Sequence, residues 1–198
     1  MHQRIADAAA TLFAAKGYDA VTITEIAGLA DVSEQTVYNF FPSKEMLVLD
    51  EDAAFEARLV GMIRDRPRRT KIADAVRSGA HAFLRELEAR PKGRNTRGGL
   101  PYLINASPSL RRAWLAAVER YADAIAVVLI EESAGTLPPL SSKLLGFSVV
   151  AIFSLIIDEI GRARSQGANM ETLFKRLFAQ VDDTVDRIAP ALNSVRSR

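Results

Sequence analysis

The chain contains no cysteine and only two histidines, His2 and His81, among its 198 residues. Without thiols, the sequence excludes disulfides, thiolate metal sites and cysteine nucleophiles. The two histidines are far apart in the sequence, so they do not form a metal-binding or nucleophilic motif. The acidic pairs Glu131-Glu132 and Asp158-Glu159 would point in different directions on a helix, unlike paired catalytic carboxylates. We therefore expect neither an enzyme nor a bound metal or cofactor.

Long hydrophobic runs are also scarce. The longest extends from Leu144 to Ile157 and is interrupted by Gly146, Ser148 and Ser154. It is too short to span a bilayer, which takes about 20 apolar residues, and it fits a buried helix better. The N-terminal sequence MHQRIADAAATLF lacks the basic region and continuous apolar core of a signal peptide. We therefore expect a cytoplasmic protein with no membrane association.

Strand patterns are missing as well, whereas apolar residues recur at helical spacing along the whole chain. One helix is predicted over residues 3–16, and two short helices follow within residues 22–44. Six more are predicted over about residues 44–64, 70–89, 100–106, 108–133, 141–165 and 169–188. Ser107-Pro108 is a clear start signal, with a capping serine before proline at the first helical position. The predicted fold class is therefore all-α, with about nine helices.

The most informative stretch runs from Thr22 to Lys44. Thr22 is followed three residues later by Glu25, the spacing of a capping box at a helix start. Ser33 begins a second short helix in the same way, and Asp31 lies where the chain reverses between the two. Asp tolerates the left-handed conformation that such a turn requires. Two short helices joined in this manner predict a helix-turn-helix, whose second helix enters the DNA major groove.

With its flanking residues, this stretch resembles the DNA-binding domain of the TetR family of bacterial transcriptional regulators. The resemblance rests on an ordered set of residues: Ala9, Leu12-Phe13, Gly17-Tyr18, Thr22, Ile26-Ala27, Ala30, Val32-Ser33, Thr36-Val37-Tyr38, Phe41 and Ser43-Lys44-Glu45. The remainder resembles the family only in length and all-helical pattern. The resemblance implies a three-helix DNA-binding domain over residues 1–46. It also implies a helical bundle for effector binding and dimerisation over residues 47–198.

Short polar side chains near the start of the second helix suit contacts with base edges. Gln35 and Asn39 can each pair with adenine, and Glu34 can accept a hydrogen bond from cytosine N4. Other side chains suit phosphates, and Val37 should lie in the core. Together with the family resemblance, this predicts the DNA-binding residues Thr24, Ser33, Glu34, Gln35, Thr36, Tyr38, Asn39 and Lys44.

Charge argues against this interpretation. Residues 1–48 contain three basic and six acidic side chains, a net charge of −3. An acidic domain attracts DNA phosphates poorly. One alternative is therefore a helical ligand-binding or adaptor protein that has lost specific DNA binding. Another is that the basic segment Arg90–Arg97 supplies the missing phosphate attraction, and the sequence leaves both open.

The family resemblance further implies an effector pocket between the fourth and eighth helices. Candidate pocket residues are Phe55, His81, Tyr102, Trp114 and Tyr121. Aromatic residues at helical spacing are more often simply core. The apolar surroundings favour a lipophilic effector, and the basic segment leaves an acyl thioester open. The resemblance also implies a homodimer through the last two helices, about 141–165 and 169–188, and a repressor that releases its palindromic operator when the effector binds.

Overall fold

The computed structural model describes residues 1–49, 52–89 and 103–195, and all regular structure in these ranges is helical. The nine α-helices of the described ranges are α1 (His2–Lys16), α2 (Ile23–Leu29), α3 (Glu34–Phe40), α4 (Asp52–Arg64), α5 (Ile72–Ala89), α6 (residues 103–106), α7 (Pro108–Glu132), α8 (Pro139–Ser165) and α9 (Met170–Ser194). A short 3-10 turn, Glu45–Leu47, separates α3 from α4. The predicted all-α fold is confirmed.

Helices α1 to α3 pack into a small N-terminal domain around buried Ile5, Phe13, Ile26 and Val37. The capping box forms as predicted: the Thr22 hydroxyl accepts the Glu25 N–H, and the Glu25 carboxylate accepts the Thr22 N–H at 2.8 Å. These reciprocal bonds satisfy amides that a helix start otherwise leaves without partners.

Gly17 follows α1 with φ 80° and ψ 157°. The positive φ explains why glycine stands there, because other residues rarely adopt it.

The predicted continuous helix from residue 44 to 64 is wrong. Lys44 precedes the 3-10 turn, and α4 is described over Asp52–Arg64. The reason lies in burial, because the consecutive large residues Leu47, Val48 and Leu49 are all buried. Large side chains at three successive positions of an α-helix point in different directions, so a helix with a single apolar face would leave one of them exposed.

Helices α4 to α9 form the larger C-terminal bundle. Helix α8 packs along α7, and α9 packs along α5 and α8. At Gly146, a Cβ atom would lie only 2.3 Å from the Ala122 carbonyl oxygen, so α7 and α8 approach closely there. By length and composition, α8 is the one described helix that could cross a membrane, but half of its most apolar window is buried. That burial is typical of the central helix of a bundle.

Some boundaries in the bundle differ from prediction. Helix α5 begins at Ile72 rather than at about residue 70, and the Thr70 carbonyl accepts a hydrogen bond from Arg66 Nε at 3.1 Å. Helix α9 continues through Pro190 to Ser194, beyond the predicted end at residue 188. Leu192 is fully buried, and Asn193 accepts the Ala73 N–H, so packing against α5 holds this last turn.

Candidate nucleic-acid interface and effector core

The turn between α2 and α3 depends on Asp31, whose φ of 51° lies in the left-handed region. The prediction for this residue is therefore confirmed. The Val32 N–H donates to the Ala27 carbonyl at 3.0 Å, which closes the reversal. Arg4 Nη2 donates to the Asp31 carbonyl at 3.1 Å, so α1 also holds the turn.

The predicted recognition helix α3 is anchored on one side and free on the other. Ser33 caps it by accepting the Thr36 N–H at 3.1 Å, and Val37 is fully buried, as predicted. Gln35, Tyr38 and Asn39 are exposed. A single buried valine in the middle of a seven-residue helix leaves the rest of its surface available to a partner.

Most of the predicted DNA-binding residues are hydrogen-bonded to one another in the free chain. Thr24 donates to Glu34 at 2.6 Å, and Gln35 Nε2 donates to Asn39 Oδ1 at 3.1 Å. The Ser33 and Thr36 hydroxyls are 2.8 Å apart. These pairs orient the side chains before any base is met, and binding would exchange or share their hydrogen bonds. DNA contact by these residues stays a prediction.

Lys44 is partly buried, unlike the exposed Gln35, Tyr38 and Asn39. Its Nζ lies 4.3 Å from the centre of the Tyr18 ring. Burial lowers the pKa of Lys44, and the nearby carboxylates of Asp19, Glu45 and Glu25 oppose that shift. No sequence pattern predicts this environment, which depends on residues from separate parts of the chain.

Lys16, the other lysine of the domain, donates to Glu25 at 2.6 Å. The N-terminal domain therefore combines a negative net charge with lysines that already contact other residues.

A second contact that the sequence analysis did not predict is the stacking of His2 on Phe41, with ring centres 4.5 Å apart. It fixes the beginning of α1 against the end of α3.

In the C-terminal bundle, aromatic rings from α4, α5, α7 and α8 meet in one cluster. The centre of the Phe55 ring lies 5.4 Å from Phe83, 5.5 Å from Tyr121 and 6.0 Å from Phe153. Trp114 adjoins Tyr121, with ring centres 6.2 Å apart. We call these five residues the aromatic core. The structure brings together the candidates Phe55, Trp114 and Tyr121, and it adds Phe83 and Phe153, which sequence reasoning missed.

Trp114 makes a polar contact at the aromatic core, because its Nε1 donates to Ser154 Oγ at 3.3 Å. One helical turn further along α8, Asp158 forms an ion pair with Arg111 on α7. Polar groups therefore adjoin the Trp114 end of the aromatic core.

His81 does not join the aromatic core. It faces α9, where its ring packs edge-on against Phe178 at 5.3 Å between centres. Its Nε2 lies 3.0 Å from Asp182 Oδ1 without hydrogen-bond geometry, and Arg77 pairs with the same carboxylate at 2.9 Å. Tyr102 and the segment Arg90–Arg97 lie outside the described residues. Among the residues described, no group of three His, Asp or Glu side chains is placed to hold a metal ion.

Helix α8 carries an apolar face that no described residue covers. Leu140, Leu144 and Leu155 are 83%, 65% and 56% exposed. Leu144 and Leu155 are three helical turns apart and thus lie on the same side. The outward face of α9 is polar instead, with ion pairs such as Lys175–Glu171 at 2.8 Å. The described surface therefore gives α8 the greater apolar area for a partner.

A cleft of about 330 Å³ lies where α8 ends and α9 begins, away from the aromatic core. Glu159 lines it and pairs with Arg162 at 2.8 Å and with Arg176 at 3.6 Å. Because both arginines of this cleft already pair with Glu159, we assign it no ligand.

Comparison with known proteins bears first on the N-terminal domain. Residues 5–50 match the family model for bacterial regulatory proteins of the tetR family. The curated protein MftR of Mycobacterium tuberculosis, whose name assigns it to transcriptional regulation of mycofactocin biosynthesis, is 30% identical over 79 residues. That match spans 40% of the length of each of the two proteins.

Solved structures share the fold over nearly the whole chain. AlkX of Dietzia, a TetR-family repressor implicated in n-alkane biodegradation, is 19% identical with a TM-score of 0.60, and the match covers 98% of each chain. FadR of Thermus thermophilus, a TetR-family repressor in complex with lauroyl-CoA, is 24% identical with a TM-score of 0.53. This second match covers 96% of the present chain and 93% of FadR. At these identities the similarity concerns the fold.

Proposed function

We propose that the chain is a regulator of the TetR family, whose model its residues 5–50 match, and that it binds a palindromic DNA operator as a homodimer in the cytoplasm. The observation that carries this proposal is the recognition helix. Its polar residues face outward in a pre-arranged set of hydrogen bonds, while Val37 anchors it to the domain. A rigid, outward-facing helix of this kind fits the major groove.

A homodimer is supported by the exposed leucines of α8. An isologous interface buries the same surface on both subunits, so one apolar face suffices. We propose that α8 and α9 form this interface. Pairing would then fix the distance between the two recognition helices, which must match half-sites separated by about one helical turn of DNA or a multiple of it.

The proposed effector binds within the aromatic core, which lies in the C-terminal domain of residues 47–198. Five aromatic rings and few polar groups favour a small, mainly lipophilic molecule. The fold similarity to a regulator bound to lauroyl-CoA keeps an acyl thioester among the candidates. We expect the effector to favour a bundle shape that changes the spacing of the recognition helices, and thereby to release the operator.

The second candidate function is a helical ligand-binding or adaptor protein without specific DNA binding. It is favoured by the net charge of −3 over residues 1–48 and by the engagement of Lys16 and Lys44. Neither candidate function involves catalysis.

Selection of genomic fragments by the purified protein, followed by fluorescence anisotropy, separates the two functions. We expect a palindromic fragment to bind, and Gln35→Ala combined with Asn39→Ala to abolish its preference over random DNA. Glu86→Ala on α5, whose exposed side chain pairs with Arg58 at 2.8 Å, is the matched control and should bind like the parent. If no genomic fragment binds even at low salt, the adaptor function is correct.

The same assay tests the basic segment. If Arg90–Arg97 contacts phosphates, replacing Arg94 and Arg97 with alanine should flatten the dependence of log affinity on log salt concentration, by about 0.9 for each lost phosphate contact. An unchanged slope would reject that role. Dimerisation is tested separately: Leu144→Asp should yield monomers in sedimentation, whereas Leu29→Asp, the same change at an exposed leucine of α2, should not.

A further inference from the structure

The two domains touch where the turn after α1 meets the start of α7. Ser107, which is buried, donates from its hydroxyl to Asp19 Oδ1 at 2.7 Å. The same hydroxyl oxygen accepts the Leu110 N–H at 3.3 Å, so it also caps α7. One serine therefore fixes the first turn of a 25-residue helix of the C-terminal bundle and holds a carboxylate of the N-terminal domain.

Asp19 also acts within the DNA-binding domain, to which it belongs. It is among the carboxylates whose charge acts on the Lys44 ammonium, which lies above the Tyr18 ring. Tyr18 itself is buried, and its hydroxyl has no hydrogen-bond partner among the described residues, although Glu45 and Ser109 are near enough to influence its pKa. Burial is the main reason that the pKa of Tyr18 is raised, so the phenol stays neutral.

The adjacent residues Tyr18 and Asp19 thus contact both elements: the Asp19 carboxylate accepts from Ser107 at the amino end of α7, and the Tyr18 ring lies 4.3 Å from Lys44 Nζ. A hydrogen bond to a carboxylate is strong and depends steeply on distance. If the start of α7 moves away, Asp19 loses its hydrogen bond, and the neighbouring Tyr18 ring beneath Lys44 is held less firmly. Lys44 is a predicted phosphate contact, so such a movement would alter a group that faces DNA.

We propose that Asp19 is a positioning residue that couples the start of α7 to Lys44 and thereby sets how the DNA-binding domain sits on the bundle. The proposal rests on the proposed function, because it assigns Lys44 to DNA. The coupling passes through space and is distinct from the covalent connection through α4. It gives the bundle a second hold on the N-terminal domain.

Hydrogen exchange tests the coupling without any DNA. In Ser107→Ala and Asp19→Ala, amide exchange in peptides covering residues 17–25 and 41–49 should rise about fivefold, the factor expected for one lost hydrogen bond. Asn169→Ala is the matched control, because it removes an equivalent cap from α9, where Asn169 Oδ1 accepts the Thr172 N–H at 3.1 Å. It should leave both peptides unchanged. Equal exchange in Ser107→Ala and the parent would overturn the coupling.

The dependence of binding affinity on half-site spacing is a readout that general destabilisation would not change. The parent should bind its selected palindrome better than the same fragment with one base pair inserted between the half-sites. Asp19→Ala should reduce the ratio of these two affinities by about fivefold, because a loosely held domain tolerates altered spacing. Asp19→Asn keeps the acceptor for Ser107 but loses the charge, so it should change salt dependence and not spacing. A ratio that Asp19→Ala leaves at the parent value rejects a positioning role. Failure of the parent to bind any fragment would refute the proposed function while the exchange result still decides the coupling.

Discussion

We expect Arg66 to contribute far more to the free energy of unfolding than its neighbour Arg64, although both pair with a glutamate at the end of α7. Arg66 Nη2 lies 2.6 Å from Glu132, and the two side chains are only 6% and 20% exposed. Arg64 Nη2 lies 2.7 Å from Glu131, with side chains 50% and 55% exposed. The pairs therefore share chemistry and location and differ mainly in burial. Both place a cation beside carboxylates at the negative end of the α7 dipole.

Arg66→Ala removes more than an ion pair. Arg66 also donates to the carbonyls of Ile63 and Thr70, which shape the connection between α4 and α5. The variant leaves Glu132 largely buried without its partner, a loss that costs about 3–5 kcal/mol in buried pairs. Because Glu132 keeps some access to water, we expect about 3 kcal/mol, or roughly 6–12 °C in the melting temperature of a chain of this size. Arg64→Ala should cost about 0.5 kcal/mol or less.

Urea denaturation at one fixed protein concentration measures both values, since dimers make apparent stability depend on concentration. Arg66→Lys keeps the charge but not the planar fork of donors, so its midpoint should fall between those of the parent and Arg66→Ala. The reasoning is refuted if Arg64→Ala and Arg66→Ala shift the midpoint equally, because burial would then not determine the contribution of the pair.

Three further predictions concern other features. Gly146→Ala should cost about 1–3 kcal/mol because its Cβ meets the backbone of α7, whereas Gly28→Ala, with no atom within 4 Å, should stabilise by up to about 1 kcal/mol; urea midpoints distinguish them. Hydrogen bonds from Lys16 and Thr22 lower the pKa of Glu25 from 4.5 to about 2, so its stabilisation should be lost as pH falls through that interval, and Glu25→Gln should flatten the stability curve there. Gln35→Ala should relax the preference at one base of each half-site by about 1–3 kcal/mol, and a uniform loss over all sequences would contradict its role in base recognition.

Most of the correct predictions from the sequence depend on local residue patterns. The caps at Thr22, Ser33 and Ser107 and the left-handed Asp31 each depend on residues within four positions of one another, so the sequence displays them directly. The buried run Leu47 to Leu49 defeated the helix prediction because its burial is imposed by other parts of the fold.

Contacts between distant residues could not be predicted. Ser107 and Asp19 are 88 positions apart, and the sequence showed only a cap and an acidic residue. His81 was a reasonable pocket candidate by its place beside an apolar stripe, but helical spacing does not say which neighbouring helix a side chain meets. Its actual neighbours, Phe178 and Asp182, belong to α9. For the same reason, helical spacing did not identify Phe83 and Phe153 as members of the aromatic core.

The electrostatics of the N-terminal domain bear on how the proposed regulator would achieve specificity. Lys16 is paired, Lys44 is partly buried beside carboxylates, and the domain is acidic overall. Attraction to the phosphate backbone, which most DNA-binding proteins use to find and hold any sequence, would then contribute little. Specific binding would depend instead on base contacts made simultaneously at two half-sites, because each domain alone would bind weakly. Such a protein would be sensitive to small changes in the distance between its recognition helices, since losing one half-site would mean losing nearly all affinity. An acidic domain is therefore compatible with a regulator whose effector acts by geometry, and it makes the contacts that orient the domain, Ser107 with Asp19 and the apolar face of α8, as important as α3 itself.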